Sequence, residues 1–337
     1  MTPESAIQCP PSGRFFTVAN FGVSNDATLP PLGELTKLES LYIQWATDCI
    51  ADLRPLANLT RLRSLSLGWC REVTDYGPVA KLASLTELEL AGAKELADLS
   101  IIADLRGLKK LHLTGCEKVA DLSPLSGLTH VNELHLTLGP KATDLGPLAA
   151  LASLTCLNIS TKADAIDLSP LAALPKFTSL ALSECPNLTD LTPVARLPRL
   201  TKVTLFACER LTDLGPLSRL PALESLHLDV CKGLSDLWPL ARAKKLTELR
   251  LWVCANITDL APLAALRQLE VLGISQCEGV ADLAPLARLP NLRDFSLWGC
   301  RRVTDLSALR DMARRGGRIY VDDHLQGQVK QLTVTDF

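Results

Sequence analysis

The chain reads as an α/β solenoid: a right-handed coil in which each turn adds one strand to a parallel sheet on the concave side and one 3₁₀ or short helical turn to the convex side. Three observations predict it. A 23-residue unit recurs almost from end to end, most plainly as LHLTGCEKVADLSPLSGLTHVNE from Leu111 to Glu133. Each copy opens on an L-x-L pair, whose alternation is that of a strand with one buried face. Most copies then pass through D-L-x-P-L-x-x-L, where an aspartate followed by an early proline starts a short helix.

The second apolar residue of each pair marks the copies: Ile43, Leu67, Leu90, Leu113, Leu136, Ile159, Leu182, Leu205, Leu228, Leu251, Ile274 and Leu297, with a first step of 24 and later steps of 23. Ile319 and Val321 supply a degenerate thirteenth copy, and Phe16 with Val18 suggests one before the first. Self-similarity at this period is the signature of a leucine-rich repeat, in which each repeat contacts only its neighbours. The expected organisation is one domain, with an N-terminal cap over 1–33, twelve repeats over 34–307 and a C-terminal cap over 308–337. A single globular core would be near its size limit at 337 residues, but a solenoid grows by adding coils.

Within each repeat the leucines of L-x-L point inward and the residue between them points out. The aspartates Asp52, Asp75, Asp98, Asp121, Asp144, Asp167, Asp190, Asp213, Asp236, Asp259, Asp282 and Asp305 fall once per repeat. Their place before L-x-P-L makes them N-caps rather than a calcium ladder, which needs short Gly-rich repeats. Eight of the eleven cysteines, Cys70, Cys116, Cys185, Cys208, Cys231, Cys254, Cys277 and Cys300, share the position where the chain turns inward. Stacked equivalents have parallel Cβ vectors, so they are expected as reduced, buried, small apolar residues. Cys9, Cys49 and Cys156 lie off this ladder, and Cys156 is expected on the open surface as the most reactive thiol.

Because the convex side carries only a short turn, the arc should be shallow. The proline position fails at Ile101 and Ala308 and the cysteine position at Ala93, Gly139 and Lys162, so irregularity is expected near 138–164. In the tail, LRDMARRGG predicts a helix closed by Gly316 and Gly317, RIYVDD a last strand, and HLQGQVKQLTVTDF a closing strand.

A net charge of −2, from 35 basic and 37 acidic residues, gives no field for nucleic acid or anionic lipid. The N-terminus lacks a basic segment followed by an apolar run, and no uninterrupted apolar stretch could span a bilayer. A cytoplasmic monomer without cofactors is expected.

The half-repeats TDLTPVARLPRL and TDLAPLAALRQL resemble the short repeats of internalins and of the leucine-rich regulatory subunit of protein phosphatase 1. The L-x-L-x-x-C-x-x-[VL]-T-D half also resembles cysteine-containing repeats, including those at the C-termini of bacterial NACHT-type sensor ATPases. The resemblance implies a bacterial binding or sensing module. The chain lacks the internalin wall-anchor motif L-P-x-T-G and the sensor ATPases' G-x-x-x-x-G-K-[ST].

The concave sheet is the natural binding surface, because equivalent outward positions form columns. Phe206, Trp252 and Trp298 fall two repeats apart in one column, hence about 10 Å between neighbours. With His227, Asp229 and Arg250 beside them they have the composition of a hot spot for a protein partner. Tyr42, Trp45 and Trp69 cluster in the first repeats, where cap packing explains the tryptophans as well as binding does. His112 and His135 should be neighbours, with Glu89 and Glu133 close by; an ordinary polar pair is expected there rather than a metal site. The reading is a non-catalytic protein-recognition module. Its alternatives are a sensor or regulatory subunit of a separate ATPase or phosphatase, a metal-dependent enzyme using His112 and His135, and a structural spacer.

Overall fold

A computed structural model describes residues 7–8, 15–19, 32–44, 51–163 and 166–333. Packing divides the chain into two compact units, 1–177 and 178–337. The first unit contains strands β1 (Ile7–Gln8), β2 (Phe15–Ala19), β3 (Ser40–Gln44), β4 (Ser64–Gly68), β5 (Glu87–Glu89), β6 (Lys110–Leu113), β7 (Glu133–Leu138) and β8 (Cys156–Thr161). β1 pairs antiparallel with β2, and from β2 onward each neighbour is parallel. The segment containing Phe16 and Val18 is therefore a strand of the repeat type.

The second unit contains β9 (Ser179–Ser183), β10 (Lys202–Phe206), β11 (Ser225–Asp229), β12 (Glu248–Trp252), β13 (Val271–Ser275), β14 (Asp294–Trp298) and β15 (Arg318–Val321), all parallel. From β9 to β14 equal 23-residue repeats hold the register at zero offset, and β15 follows after 24. Leu205 thus lies opposite Leu182 and Leu228, and all three are 0% exposed.

A 3₁₀ segment follows most strands, as at Ser123–Gly127 and Ala261–Ala265, with proline in its first turn. All twelve aspartates cap these segments: each Oδ1 accepts the amide two residues on, at 2.6 to 2.9 Å. In most coils the aspartate acts one residue earlier than expected, in an Asx turn, while the following leucine occupies the half-in position. In the coil with Ile101 in place of proline, the 3₁₀ segment starts one residue sooner and Asp98 itself becomes the N-cap.

The ladder cysteines are buried thiols, but they are more than apolar filler. Seven of the eight reach back to the carbonyl of the preceding coil's second buried strand residue, as Cys116 to Leu90 at 3.2 Å, Cys231 to Leu205 at 3.5 Å and Cys254 to Leu228 at 3.3 Å. The residue ahead of the ladder position supplies the inward turn. It is left-handed at Trp69, Glu184, Ala207, Val230, Val253 and Gln276, with φ from 51° to 60°, and is glycine at 92, 115 and 299. A non-glycine residue costs about 1–2 kcal/mol there. The turn also directs its amide to the next coil, as from Val230 to the Trp252 carbonyl at 2.8 Å and from Val253 to the Ser275 carbonyl at 2.9 Å.

Leu138 and Thr161 hold this pre-ladder position in the two coils where Gly139 and Lys162 replace cysteine. There the strand continues through it, and both side chains, 2% exposed, fill the inward space a thiol fills elsewhere. The irregularity expected over 138–164 thus includes two lengthened strands.

At the C-terminal end, helix α1 (Arg310–Arg314), the glycine pair and β15 follow the expected order. Residues 334–337 lie outside the described residues, and within 324–333 no closing strand forms. Its place is taken by a 3₁₀ turn at Asp323–Leu325 and helix α2 (Gln326–Thr333), because Leu325, Val329 and Leu332 recur at helical spacing and α2 packs on α1. The Asp322 carboxylate accepts the Gly299 amide at 2.7 Å; Gln328 accepts the Leu306 amide at 2.9 Å and donates to the Thr304 carbonyl at 2.7 Å. These side chains stand where a further coil's backbone would.

Candidate functional site

The outward residues of β10 to β14 lie in register, so the residues singled out from the sequence fall into two adjacent columns. Phe206 is opposite Asp229, Asp229 opposite Trp252, Trp252 opposite Ser275 and Ser275 opposite Trp298. In the neighbouring column His227 is opposite Arg250. Trp252 and Trp298 are 48% and 44% exposed, while Phe206, His227 and Asp229 are half-buried. The strand pattern puts leucine inward at alternate positions, so the indoles are surplus to the core.

Glu248, which sequence reasoning missed, ties this cluster together. Its Oε1 lies 2.7 Å from Arg250 Nε and 3.2 Å from His227 Nε2, and its Oε2 accepts the Ser225 hydroxyl at 3.0 Å. Burial pushes the Glu248 carboxyl up, but hydrogen bonds from Arg250, Ser225 and His227 outweigh it and hold the group below its ordinary range. Asp229, between Phe206 and Trp252, is raised by burial, only partly offset by His227 and Arg250. The signal for Glu248 was its place at the first outward position, opposite Ser225 and two residues before Arg250 on the same face.

Beside the columns a depression of about 370 Å³ opens over Gly273, edged by Arg250, Asp294, Ser296, Arg318 and Tyr320. A Cβ at Gly273 would stand 3.1 Å from Ser296 Oγ and 3.6 Å from Arg250 Cγ, so glycine keeps the depression open. Arg318 is held by Asp294 at 2.8 Å. Tyr320, 48% exposed, adds a further aromatic to this face.

These strands, their zero-offset register and one 3₁₀ turn per coil match an internalin (inlF) from Listeria monocytogenes, with a TM-score of 0.58, 24% identity, and coverage of 86% of this chain and 88% of that chain. The fold is a leucine-rich-repeat solenoid. The leucine-rich-repeat domain of the type III effector XCV3220 (XopL) is also similar, with a TM-score of 0.50, 21% identity, and coverage of 60% of this chain and 72% of that one. No family profile and no curated protein matches the sequence.

Other aromatics of the leucine-rich-repeat array divide by role. Trp69 lies over Gly92, where a Cβ would come within 2.6 Å of the indole, so turn packing accounts for it. Tyr42 is half-buried and hydrogen-bonded to Ser64 at 3.0 Å; Trp45 falls outside the described residues. Trp238, 59% exposed, sits on a 3₁₀ segment beside Arg219 and Arg242. It was legible as an outlier at the x of D-L-x-P-L, a position held by small or polar residues in most coils. Cys156 is half-buried. Among the described residues no helix is long and apolar enough to cross a membrane.

Proposed function

We propose that the chain is a non-catalytic, monomeric, cytoplasmic recognition module that holds a partner protein on the outward sheet face of its second unit. The single observation carrying this reading is the in-register column of Phe206, Trp252 and Trp298, with two half-exposed indoles on a face that does not need them for folding. Tryptophan and arginine dominate the few residues that carry most interface energy. Arg250 is already oriented by Glu248, so little freedom remains to be lost when a partner docks. The buried thiol ladder suits a reducing compartment.

The test captures proteins from a lysate of the source organism with the wild type and with a Trp252→Ala, Trp298→Ala double variant. A captured protein is then purified and its affinity for both forms measured by calorimetry. The expected result is an unchanged melting curve and an affinity at least about 30-fold weaker in the variant, the equivalent of about 2 kcal/mol. Equal affinity of the two forms for the captured partner refutes the assignment.

A further inference from the structure

The geometry points to a second site, in the first unit: His112, His135 and Glu133 form a binding site for one divalent transition-metal ion of the zinc class. The two histidines lie opposite each other on β6 and β7, both at the outward position between leucines. Glu133 precedes His135 by two residues and so shares its face. Its Oε1 lies 3.1 Å from His135 Nε2 and 3.5 Å from His112 Nε2. One ligand atom from each of the three residues falls within 4.8 Å of the others.

Those separations can be compared with what an ion requires. A tetrahedral zinc ion, with bonds of about 2.0–2.1 Å to nitrogen and oxygen, spaces its ligand atoms about 3.3 Å apart. The two nitrogen–oxygen separations bracket that value, and the two histidine nitrogens lie within 4.8 Å of each other. The rings are 4.1 Å apart between centroids and tilted by 41°, both presenting Nε2 to the same carboxylate oxygen.

An ordinary histidine–carboxylate pair accounts for His135 and Glu133, which are within hydrogen-bond distance. It accounts less well for His112, whose Nε2 is shut off from solvent and has that same oxygen only at 3.5 Å, with no hydrogen bond of ordinary length. Buried polar atoms rarely go unsatisfied, because burial removes the water that would otherwise bond them. A metal ion gives that nitrogen its partner. Two imidazoles and a carboxylate suit zinc and its neighbours better than calcium or magnesium, which prefer oxygen donors. Three protein ligands on an outward sheet face leave the fourth position to water or to a side chain of another molecule. Glu89, opposite His112 on β5 and held by the Ser66 hydroxyl at 2.8 Å, adds negative charge beside the site.

The test uses the full chain, stripped with a chelator and titrated with zinc chloride near neutral pH against a chromophoric zinc indicator. Cobalt absorption is recorded in parallel, because a buried thiol ladder is the competing ligand set. The expected result is one equivalent bound in the micromolar range or tighter, and a cobalt spectrum without a thiolate charge-transfer band. His135→Ala should weaken binding by about 100-fold or more, at or beyond the 10- to 100-fold that loss of an outer-shell partner costs. Glu133→Gln changes one atom of a partly exposed side chain and carries the test should His135→Ala misfold; it should weaken binding at least about 10-fold. No zinc bound at micromolar concentration, affinity unchanged in Glu133→Gln, or a thiolate band overturns the site.

Discussion

Replacing Leu205 with alanine tests the shared core at one rung. Leu205 is 0% exposed on β10, between Leu182 of β9 and Leu228 of β11. Truncation removes three carbons, which at about 0.8 kcal/mol per buried methylene forfeits about 2.4 kcal/mol. Neighbouring rungs hold the space open from both sides, so a cavity term adds to the transfer term. The expected total is about 2.5–5 kcal/mol. The Leu205 carbonyl also receives the Cys231 thiol, a backbone interaction that the substitution leaves in place, so the loss reports packing. Urea unfolding followed by circular dichroism gives the loss, with the slope checked against the wild type. Because repeat arrays can open locally, hydrogen exchange over β9 to β11 is the companion readout. A loss below about 1 kcal/mol with unchanged slope and unchanged protection would refute the shared-rung reasoning.

Two further outcomes follow from the ladders. Hydrogen bonds from the residue two ahead hold Asp98, Asp121, Asp167, Asp190 and Asp305 below the ordinary carboxylate range. Their folded values are depressed, so the stability they add is complete above the unfolded value and is lost as pH falls through the folded one. Melting temperature should hold down to about pH 5 and fall below about pH 4, and a flat profile to about pH 2 contradicts the capping role. Burial pushes the thiols of Cys231 and Cys300 up to about 11 and that of Cys116 up to about 12. Maleimide near neutral pH should therefore label Cys156 before any of these, read by peptide mass spectrometry; early ladder labelling would show that the thiols are open to solvent.

The repeat unit was legible because its period, its L-x-L pair and its aspartate each specify one physical feature: register, buried face and turn start. What escaped was chemistry that one residue performs on another coil. Nothing local to Cys254 says that its thiol will reach the Leu228 carbonyl, and nothing local to Val253 says that a β-branched residue will adopt a left-handed turn. The lengthened strands were half-visible: Leu138 and Thr161 continue the inward alternation of β7 and β8, a clue masked by the missing cysteines. Leu325, Val329 and Leu332 carry a helical period and α2 packs on α1, whereas the alternation that suggested a strand starts at Leu332 and runs on through Val334, beyond the described residues. At the candidate sites the columns were readable from the repeat, whereas the roles of Glu248 and Glu133 depend on side-chain directions that spacing alone leaves open.

The pairing of Gly299 with Asp322, and of Leu306 and Thr304 with Gln328, has a consequence for how such a chain changes length. In the second unit the coils from β10 to β14 are bonded to their neighbours in one repeating way, and the last is finished by side chains rather than by another coil. No residue therefore counts the turns. A gene segment encoding 23 residues can be duplicated or lost between two interior coils, and the junctions it creates are ones the protein already contains. Outward columns lengthen or shorten with each such event, so the reach of the surface offered to a partner can vary among descendants while the capping chemistry stays the same.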